Sequence, residues 1–323
     1  MSWNPSRYEQ MIYRSCGKWG LKLPVISLGA WRTVGGYEEE NTAREVFYRA
    51  FDHGITYFDF ANNYGTPVGS AEILGGKILK DLPRDEIIIA SKAGHKMWEG
   101  PYGDWGSRKY IISSCDQSLK RMGLEYFDLF YHHRPDPNTP LEESHGAIET
   151  LIQQGKVLYG GVSGFYSAEQ SQETINLKER KNWFPLTVQM NNYSLLNRQM
   201  EQQLVDTARH NGFGLIAYSP LAQGLLSDKY LKQDIPTGSR AALGSLKLPD
   251  EAQLSRIRAL NELAAQRGQT LAQMALAWVL RLPELTSVLT AVSSVEQLQQ
   301  TLGMLNRMAF SEEELQLIDD ITG

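Results

Sequence analysis

Residues 55–65 read Ile-Thr-Tyr-Phe-Asp-Phe-Ala-Asn-Asn-Tyr-Gly, and this stretch decides how the rest of the chain is interpreted. Its first half is a β-branched and aromatic run of the kind that forms a buried strand. Its second half contains Asn and Gly, the residues with which chains leave a strand. The pattern places one carboxylate, Asp59, at the carboxyl end of the strand and one phenol, Tyr64, in the loop that follows. A buried carboxylate needs a cation or hydrogen-bond donors, because an isolated buried charge is costly.

Two further apolar runs end in groups that can complete a site around Asp59. Residues 87–92 end in Lys92, which could neutralise the carboxylate, and residues 127–133 end in two histidines. Each group taken singly has a structural explanation, as a turn or cap residue, a solvated strand exit or a packed ring. Three consecutive strands that end in Asp, Lys and His, with a Tyr after the first, make a combination that these explanations do not cover.

This combination resembles the catalytic tetrad of the aldo-keto reductases. The resemblance extends from Tyr13 to Gly323 and is strongest to the branch with bacterial glyceraldehyde-3-phosphate and methylglyoxal reductases and potassium-channel β subunits. Six other stretches similar to that family follow in the family's order. They are Leu-Pro-Val-Ile-Ser-Leu-Gly-Ala-Trp at 23–31, Gly-Ser-Ala-Glu at 69–72, Arg-Pro-Asp-Pro-Asn-Thr-Pro at 134–140, Gly-Val-Ser at 161–163, Tyr-Ser-Pro-Leu-Ala at 218–222 and Ser-Ser-Val-Glu-Gln at 293–297.

The alternation of strand-like and helix-like segments predicts an α/β fold. After a hairpin at 11–24, eight β/α units follow, including one helix over 198–211 and a long irregular stretch at 219–249 that is typical of a lid or binding loop. Alternation alone fits a doubly wound sheet as well as a (β/α)8 TIM barrel. Residues 212–217 match a dinucleotide-binding fingerprint but lead into a strand, and no Walker-type loop occurs. We therefore expect one domain over 1–323, a TIM barrel with an N-terminal β-hairpin and long loops at its carboxyl face.

Composition limits the classes of partner. The 323 residues carry a net charge of −5 without blocks of one sign, which argues against nucleic acid or an anionic membrane as a partner. Cys16 and Cys115 are too few for a disulfide framework or a metal cluster. No apolar stretch approaches the roughly 20 residues of a membrane helix, and the N-terminus lacks a signal-like core. We expect a cytoplasmic protein without metal that acts on a small molecule, and an oligomer of identical chains is left open.

Carbonyl reduction explains why the four side chains occur together. A free phenol has a pKa of about 10, and a nearby ammonium lowers that value. Tyr64 is therefore assigned as the acid that protonates the substrate oxygen, Lys92 as the group that tunes it and Asp59 as the group that positions Lys92. The resemblance matches His133, rather than His132, to the histidine that orients the same oxygen. Channel β subunits have an asparagine at this position, so a histidine favours an active enzyme.

The protein has no group that delivers hydride, so a cofactor must supply it. The resemblance implies NADPH or NADP+, bound extended across the barrel mouth. The residues that match the family's cofactor contacts are Ala30, Trp31, Arg32, Asp59, Ser163, Gln189, Tyr218, Ser219, Leu221, Gly224, Leu225, Arg240, Ser293, Gln297, Gln300 and Thr301. Gly164 stands where many relatives have asparagine, and residues 300–301 stand where relatives often have Glu-Asn.

Ser293 and Gln297 are predicted to favour NADPH over NADH. Ser293 stands at the start of a helix expected from Ser294, where backbone N–H groups and the helix dipole attract an anion such as the 2′-phosphate. Gln297, one turn later, can donate from its amide. The alternative for Ser293 is ordinary helix capping.

Substrate contacts are expected from Trp31, Tyr64, Trp98, His133 and Arg134. The tryptophans could instead pack the loops, and the arginine could be engaged in a salt bridge. These residues predict NADPH-dependent reduction of short aldehydes, phosphorylated or not, such as glyceraldehyde 3-phosphate or methylglyoxal. Two alternatives stay open. One is a nicotinamide-binding regulatory subunit similar to the channel β subunits, and the other is a barrel isomerase or aldolase that uses Lys92 as a Schiff base.

Overall fold

An antiparallel hairpin precedes the main sheet in the computed structural model, which describes residues 3–231 and 249–323. It consists of β1 (Tyr13–Ser15) and β2 (Lys22–Pro24). Cys16, Leu21 and Leu23, in and beside its turn, are buried against side chains inside the sheet that follows. The predicted N-terminal hairpin is therefore present, and it covers the end of the sheet where the strands begin.

Eight parallel strands close into a barrel behind this hairpin. They are β3 (Ile26–Gly29), β4 (Tyr57–Asp59), β5 (Ile88–Ala93), β6 (Phe127–His132), β7 (Val157–Ser163), β8 (Val188–Asn192), β9 (Gly214–Tyr218) and β10 (Leu285–Thr290). Each strand pairs with the next along the chain, and β10 pairs with both β9 and β3. The predicted (β/α)8 barrel is confirmed, and the doubly wound alternative is excluded because that sheet has open edges.

Ten α-helices accompany the strands within the described ranges. They are α1 (Glu40–Asp52), α2 (Ser70–Leu79), α3 (Arg108–Met122), α4 (Leu141–Gln153), α5 (Ala168–Lys181), α6 (Leu204–Asn211), α7 (Glu251–Gln266), α8 (Leu271–Val279), α9 (Val295–Leu302) and α10 (Glu312–Thr322). Their apolar faces pack on the outside of the barrel, as where Phe47 of α1 stacks on Phe58 of β4 with ring centroids 5.2 Å apart.

The helix expected over 198–211 is shorter than predicted. A 3-10 turn occupies Gln199–Gln202, and α6 begins only after Gln203, whose backbone has φ −145° and ψ −38°. That conformation lies outside the α region and separates the two segments. Short 3-10 turns at Ala222–Gly224 and Asp228–Tyr230 occupy part of the stretch expected to be irregular.

The direction of the strand side chains determines which residues reach the barrel mouth. Tyr57, Ala90 and Tyr131 belong to the cluster inside the barrel. Because side chains alternate along a strand, residues two positions later point to the same side. Asp59 and Lys92 therefore face the interior near the carboxyl ends of β4 and β5, where active sites of this fold are built.

Candidate active site

Asp59 and Lys92 form a buried ion pair on neighbouring strands. The side chain of Lys92 has no exposed surface and that of Asp59 is 1% exposed. Lys92 Nζ donates to Asp59 Oδ2, and it donates to the Phe60 carbonyl at 2.7 Å. Burial raises the pKa of Asp59 and lowers the pKa of Lys92, and the attraction between the two charges opposes both shifts. The structure thus brings together the carboxylate and the lysine that the sequence pairs.

The engagement of Lys92 bears on the Schiff-base alternative. A lysine that attacks a carbonyl needs a free amine that substrate can reach. Here the ammonium is fully buried and donates to both Asp59 and the Phe60 carbonyl. The aldolase or isomerase alternative has no support in this geometry.

Two phenols beneath the pair were not anticipated from the sequence. The Tyr57 hydroxyl donates to Asp59 Oδ1 at 3.1 Å, and it lies 2.9 Å from the Tyr131 hydroxyl. Strand alternation was the signal that could have found them, because Tyr57 stands two residues before Asp59 and Tyr131 two before His133. The carboxylate is therefore held from two sides, by an ammonium and by a phenol.

Tyr64 and His133 lie beside the ion pair. Lys92 Nζ lies 5.1 Å from the centroid of the Tyr64 ring, and the rings of Tyr64 and His133 meet edge-on with centroids 6.0 Å apart. His132 is turned away from this group, with Nδ1 2.6 Å from the Tyr166 hydroxyl. His133 is the histidine that stands with Tyr64, in agreement with the sequence-based choice.

The protonation of Tyr64 differs from the expectation. The pKa of Tyr64 is raised well above its ordinary value, first by burial and then by the negative charge of Asp59, whereas the sequence led us to expect a lowered value. The Lys92 ammonium, 5.1 Å from the centroid of the Tyr64 ring, does not reverse these two effects on the pKa. Burial, followed by the charge of Lys92, holds the pKa of His133 well below its usual range. Both side chains therefore carry a proton that they can donate near neutral pH, one as a phenol and the other as a neutral imidazole.

His95 is a third residue near the ion pair that sequence reasoning missed. Its ring meets that of His133 edge-on, with centroids 4.5 Å apart and planes at 90°. The loop after β5 that carries it also carries Trp98, whose ring packs against Tyr110 at 5.4 Å between centroids. Its position three residues after Lys92, at the mouth of the barrel, was the available signal.

Arg134, in the loop after β6, is held by residues of the loop after β5. Its Nε donates to the Gly94 carbonyl at 2.6 Å and its Nη2 binds Asp104 Oδ1 at 2.8 Å, while the guanidinium lies 3.6 Å from the centroid of the Trp105 ring. The salt-bridge alternative considered from the sequence is thus the arrangement observed. A substrate contact by Arg134 stays a prediction that only its remaining N–H groups could fulfil.

Of the three residues expected around the nicotinamide at strand ends, two stand at the carboxyl ends of their strands, whereas Gln189 is the second residue of its strand. Ser163 ends β7 and Tyr218 ends β9. Gln189, in β8, is fully buried, and its amide is largely engaged: the oxygen accepts from Ser171 Oγ at 2.6 Å and Nε2 donates to the Tyr166 carbonyl at 3.2 Å. One side-chain N–H of Gln189 therefore remains without a protein acceptor among these contacts. The assignment of Gln189 as a contact of the nicotinamide carboxamide stays a prediction.

The turn after β9 has an unusual backbone. Three residues other than glycine have positive φ, with 53° at Ser219, 47° at Ala222 and 60° at Gln223, and Gly224 follows at 99°. Side-chain-bearing residues adopt this region at a cost, and such strain concentrates at ligand-binding segments. The turn coincides with the predicted pyrophosphate contacts at Leu221, Gly224 and Leu225.

The remaining predicted cofactor residues near β3 lie at the mouth of the barrel, and one other lies outside the residues that the structure describes. Ala30 directly follows β3 and is buried, whereas Trp31 is 40% exposed and the Arg32 guanidinium lies 5.1 Å from the centroid of its ring. Arg240 lies outside the described residues.

Ser293 is not the N-cap of helix α9. The cap is Ser294, whose hydroxyl accepts from the Gln297 backbone N–H at 3.2 Å. Gln297 Oε1 accepts from the Ser293 N–H at 3.1 Å, which directs the carbonyl of that amide back toward the chain. Further along the helix Gln300 is exposed, whereas Thr301 is 8% exposed and mostly covered by protein. The alternative of ordinary helix capping therefore does not account for a serine at position 293.

Comparison with known proteins identifies the family. The family model described as Aldo/keto reductase family matches residues 25–322. The chain belongs to the aldo/keto reductase family. It is 50% identical to L-glyceraldehyde 3-phosphate reductase of Escherichia coli O157:H7, across 98% of this chain and 94% of that protein. The protein of the same name from strain K12 is 49% identical with the same coverage. A probable voltage-gated potassium channel subunit beta of Arabidopsis thaliana is 35% identical across 90% of each chain.

Membership makes the chain an oxidoreductase of a family that generally uses nicotinamide cofactors. Within the described ranges, no cluster of three or more His, Cys, Asp or Glu side chains is arranged to bind a metal ion. No helix in those same ranges has the length and apolar character needed to cross a bilayer.

Proposed function

We propose that this aldo-keto reductase reduces short aldehydes that carry a hydroxyl or phosphate, such as glyceraldehyde 3-phosphate, with NADPH as the hydride donor. The observation that carries the proposal is the group formed by Tyr64 and His133 next to the buried Asp59–Lys92 pair. The 50% identity to a bacterial L-glyceraldehyde 3-phosphate reductase over almost the whole chain supports the choice of aldehyde.

The roles follow from the protonation states. A nicotinamide, held by the residues at the barrel mouth, would supply the hydride, and the chain's own side chains would stabilise the negative charge on the carbonyl oxygen. Tyr64 donates its proton to that oxygen, and the Lys92 ammonium stabilises the phenolate that is left. His133, neutral because of its burial, donates a hydrogen bond to the same oxygen and does not transfer its proton. Asp59 keeps the ammonium in place. Solvent returns the proton to Tyr64.

The residues present fit a nicotinamide dinucleotide. The turn from Ser219 to Gly224 has repeated positive φ, a backbone pattern found at anion sites, although the N–H groups of Ala222 and Gly224 are hydrogen-bonded within the turn. Tyr218, partly exposed at the end of β9, offers a ring face to a planar base. The Ser294-capped start of α9 adds a helix N-terminus beside Ser293 and Gln297.

The experiment that tests the proposal is a panel of aldehydes followed by NADPH absorbance. L-glyceraldehyde 3-phosphate, its D-enantiomer, glyceraldehyde, methylglyoxal and propanal are compared at matched concentrations. We expect kcat/KM to be highest for a substrate with a hydroxyl or phosphate next to the reacting group. Turnover of none of the five would contradict the proposal and favour the alternative of a nicotinamide-binding regulatory subunit, a class to which the 35% identical channel subunits point.

Cofactor selectivity gives a separate prediction. We expect the Ser293→Ala, Gln297→Ala double variant to lose about 5- to 150-fold in kcat/KM with NADPH, because it removes polar contacts worth about 1–3 kcal/mol to a charged group. Efficiency with NADH should hardly change, since NADH lacks the 2′-phosphate. Steady-state kinetics with both cofactors measures the ratio.

Ser294→Ala is the matched control for the selectivity test. It removes the observed helix cap, so the free energy of unfolding should fall by about 1 kcal/mol, while the NADPH to NADH ratio should persist. An equal loss with both cofactors in the double variant would place the 2′-phosphate elsewhere.

A further inference from the structure

The interior of the barrel below the active site contains a polar chain in otherwise apolar surroundings. Tyr57 and Tyr131 are both fully buried, and the same internal cluster includes Leu129, Val188 and Ile216. A buried hydroxyl is retained at little cost only when it is hydrogen-bonded. The two hydroxyls lie 2.9 Å from each other, and that of Tyr57 lies 3.1 Å from Asp59 Oδ1.

The direction of the hydrogen bonds follows from the number of protons. An ionised carboxylate only accepts, so the single hydroxyl proton of Tyr57 is committed to Asp59. The contact between the phenols then requires Tyr131 to donate to the Tyr57 oxygen. The resulting order is Tyr131 to Tyr57 to Asp59, with Lys92 donating to the other carboxylate oxygen.

We propose that Tyr57 and Tyr131 are positioning residues that keep Asp59 ionised and fix its second oxygen on Lys92. Each donor in the chain strengthens the next, because a hydroxyl that accepts a hydrogen bond becomes a better donor. The catalytic meaning of this role rests on the proposed reduction, since Asp59 acts there only through Lys92.

The titratable groups near the carboxylate come from several parts of the barrel. Those that face Asp59 or its immediate partners are Tyr57, Tyr64, Glu72, Lys92, Tyr131, His133, Tyr218 and Cys16. Lys92 is the cation among them. Removing the Tyr57 hydroxyl leaves the ammonium as the remaining side-chain donor to the carboxylate, so the carboxylate should take up a proton at higher pH than in the native protein.

The test follows the Asp59 carboxyl directly. Protein labelled with carbon-13 at the aspartate carboxyl is titrated by NMR, and the Asp59 resonance is assigned with Asp59→Asn. We expect Tyr57→Phe to raise the titration midpoint by about one pH unit, the change that corresponds to loss of one hydrogen bond to a charged group. Tyr131→Phe should raise it by a smaller amount. Tyr13→Phe is the control, because it removes a phenol hydrogen bond to the Gly54 carbonyl, outside this chain of contacts.

The pH dependence of kcat/KM gives a second readout, one that would not change if Tyr57 had only a packing role. The acidic limb of kcat/KM should move to higher pH by the same amount in Tyr57→Phe, with about tenfold lower efficiency on that limb and little change at higher pH. A lower melting temperature with an unchanged Asp59 midpoint in both variants would overturn the proposal and leave a packing role. If Tyr57→Phe does not fold, Tyr131→Phe decides alone, and an unshifted midpoint overturns the proposal. If the proposed reduction is wrong, the native protein will show no turnover with these aldehydes. The NMR titration of Asp59 can still be measured, so the two failures are distinguishable.

Discussion

Tyr64→Phe is expected to lower kcat by about 100-fold or more, because it removes the proton that the carbonyl oxygen must receive. The ring remains, so its edge-on contact with His133 and its place beside Lys92 are retained. The hydroxyl makes no hydrogen bond with the described residues, and its removal should therefore leave the melting temperature nearly unchanged. Stopped-flow or steady-state NADPH oxidation measures the loss, and fluorescence titration checks that NADPH still binds.

The control for this variant is Tyr8→Phe. Tyr8 is 39% exposed, and its hydroxyl binds Glu86 on the outside of the protein. We expect native kcat in this variant. If Tyr64→Phe retained native turnover as well, the proton would have to come from another group, and the assignment of Tyr64 as the acid would be wrong.

Lys92→Met is expected to remove activity and to lower the free energy of unfolding by about 3–5 kcal/mol. The loss of stability arises because the variant leaves Asp59 buried without its cation. Breaking a buried pair by removing one partner is strongly destabilising, even where the intact pair itself adds little stability. The loss of activity arises because the phenolate formed on Tyr64 would have no ammonium beside it. Chemical denaturation and NADPH oxidation measure the two effects separately.

Two further variants separate charge from packing. Asp59→Leu combined with Lys92→Met replaces the pair with apolar groups, so most of the lost stability should return while activity does not. Lys96→Met tests lysine loss at the surface, where Lys96 pairs with Glu99 at 57% and 89% exposure, and we expect neither property to change. Native stability in Lys92→Met would contradict the buried-pair assignment.

Strand periodicity and the family's motif order were sufficient to predict the barrel, the buried pair and the position of His133 near Tyr64. Each depends on local patterns, namely apolar runs that end in a polar group and a side-chain period of two. The pKa direction of Tyr64 could not be read in the same way. It depends first on burial and then on the charge of Asp59, and these follow from distances and exposures that a sequence does not contain.

The hydrogen-bond and salt-bridge partners of polar side chains also could not be predicted from the sequence. The commitment of Gln189 to Ser171 and of Arg134 to Asp104 arises between elements distant along the chain. Capping illustrates the limit at short range: both Ser293 and Ser294 suit the start of a helix, and only the backbone shows that Ser294 is the cap. The break before α6 likewise depends on one backbone conformation at Gln203.

The order of the strands has a consequence for how the protein folds. Asp59 and Lys92 are only 33 residues apart and lie on strands that are neighbours both along the chain and in the barrel. Closing the barrel depends instead on contacts such as that between Ser27 and Ser287, whose hydroxyl oxygens lie 2.6 Å apart across 260 residues of sequence. Contacts of short sequence separation form at a lower entropic cost than distant ones. The strands that hold Asp59 and Lys92 therefore pair over a short sequence separation, and we expect the closure of β10 on β3 to be the slower, long-range part of folding.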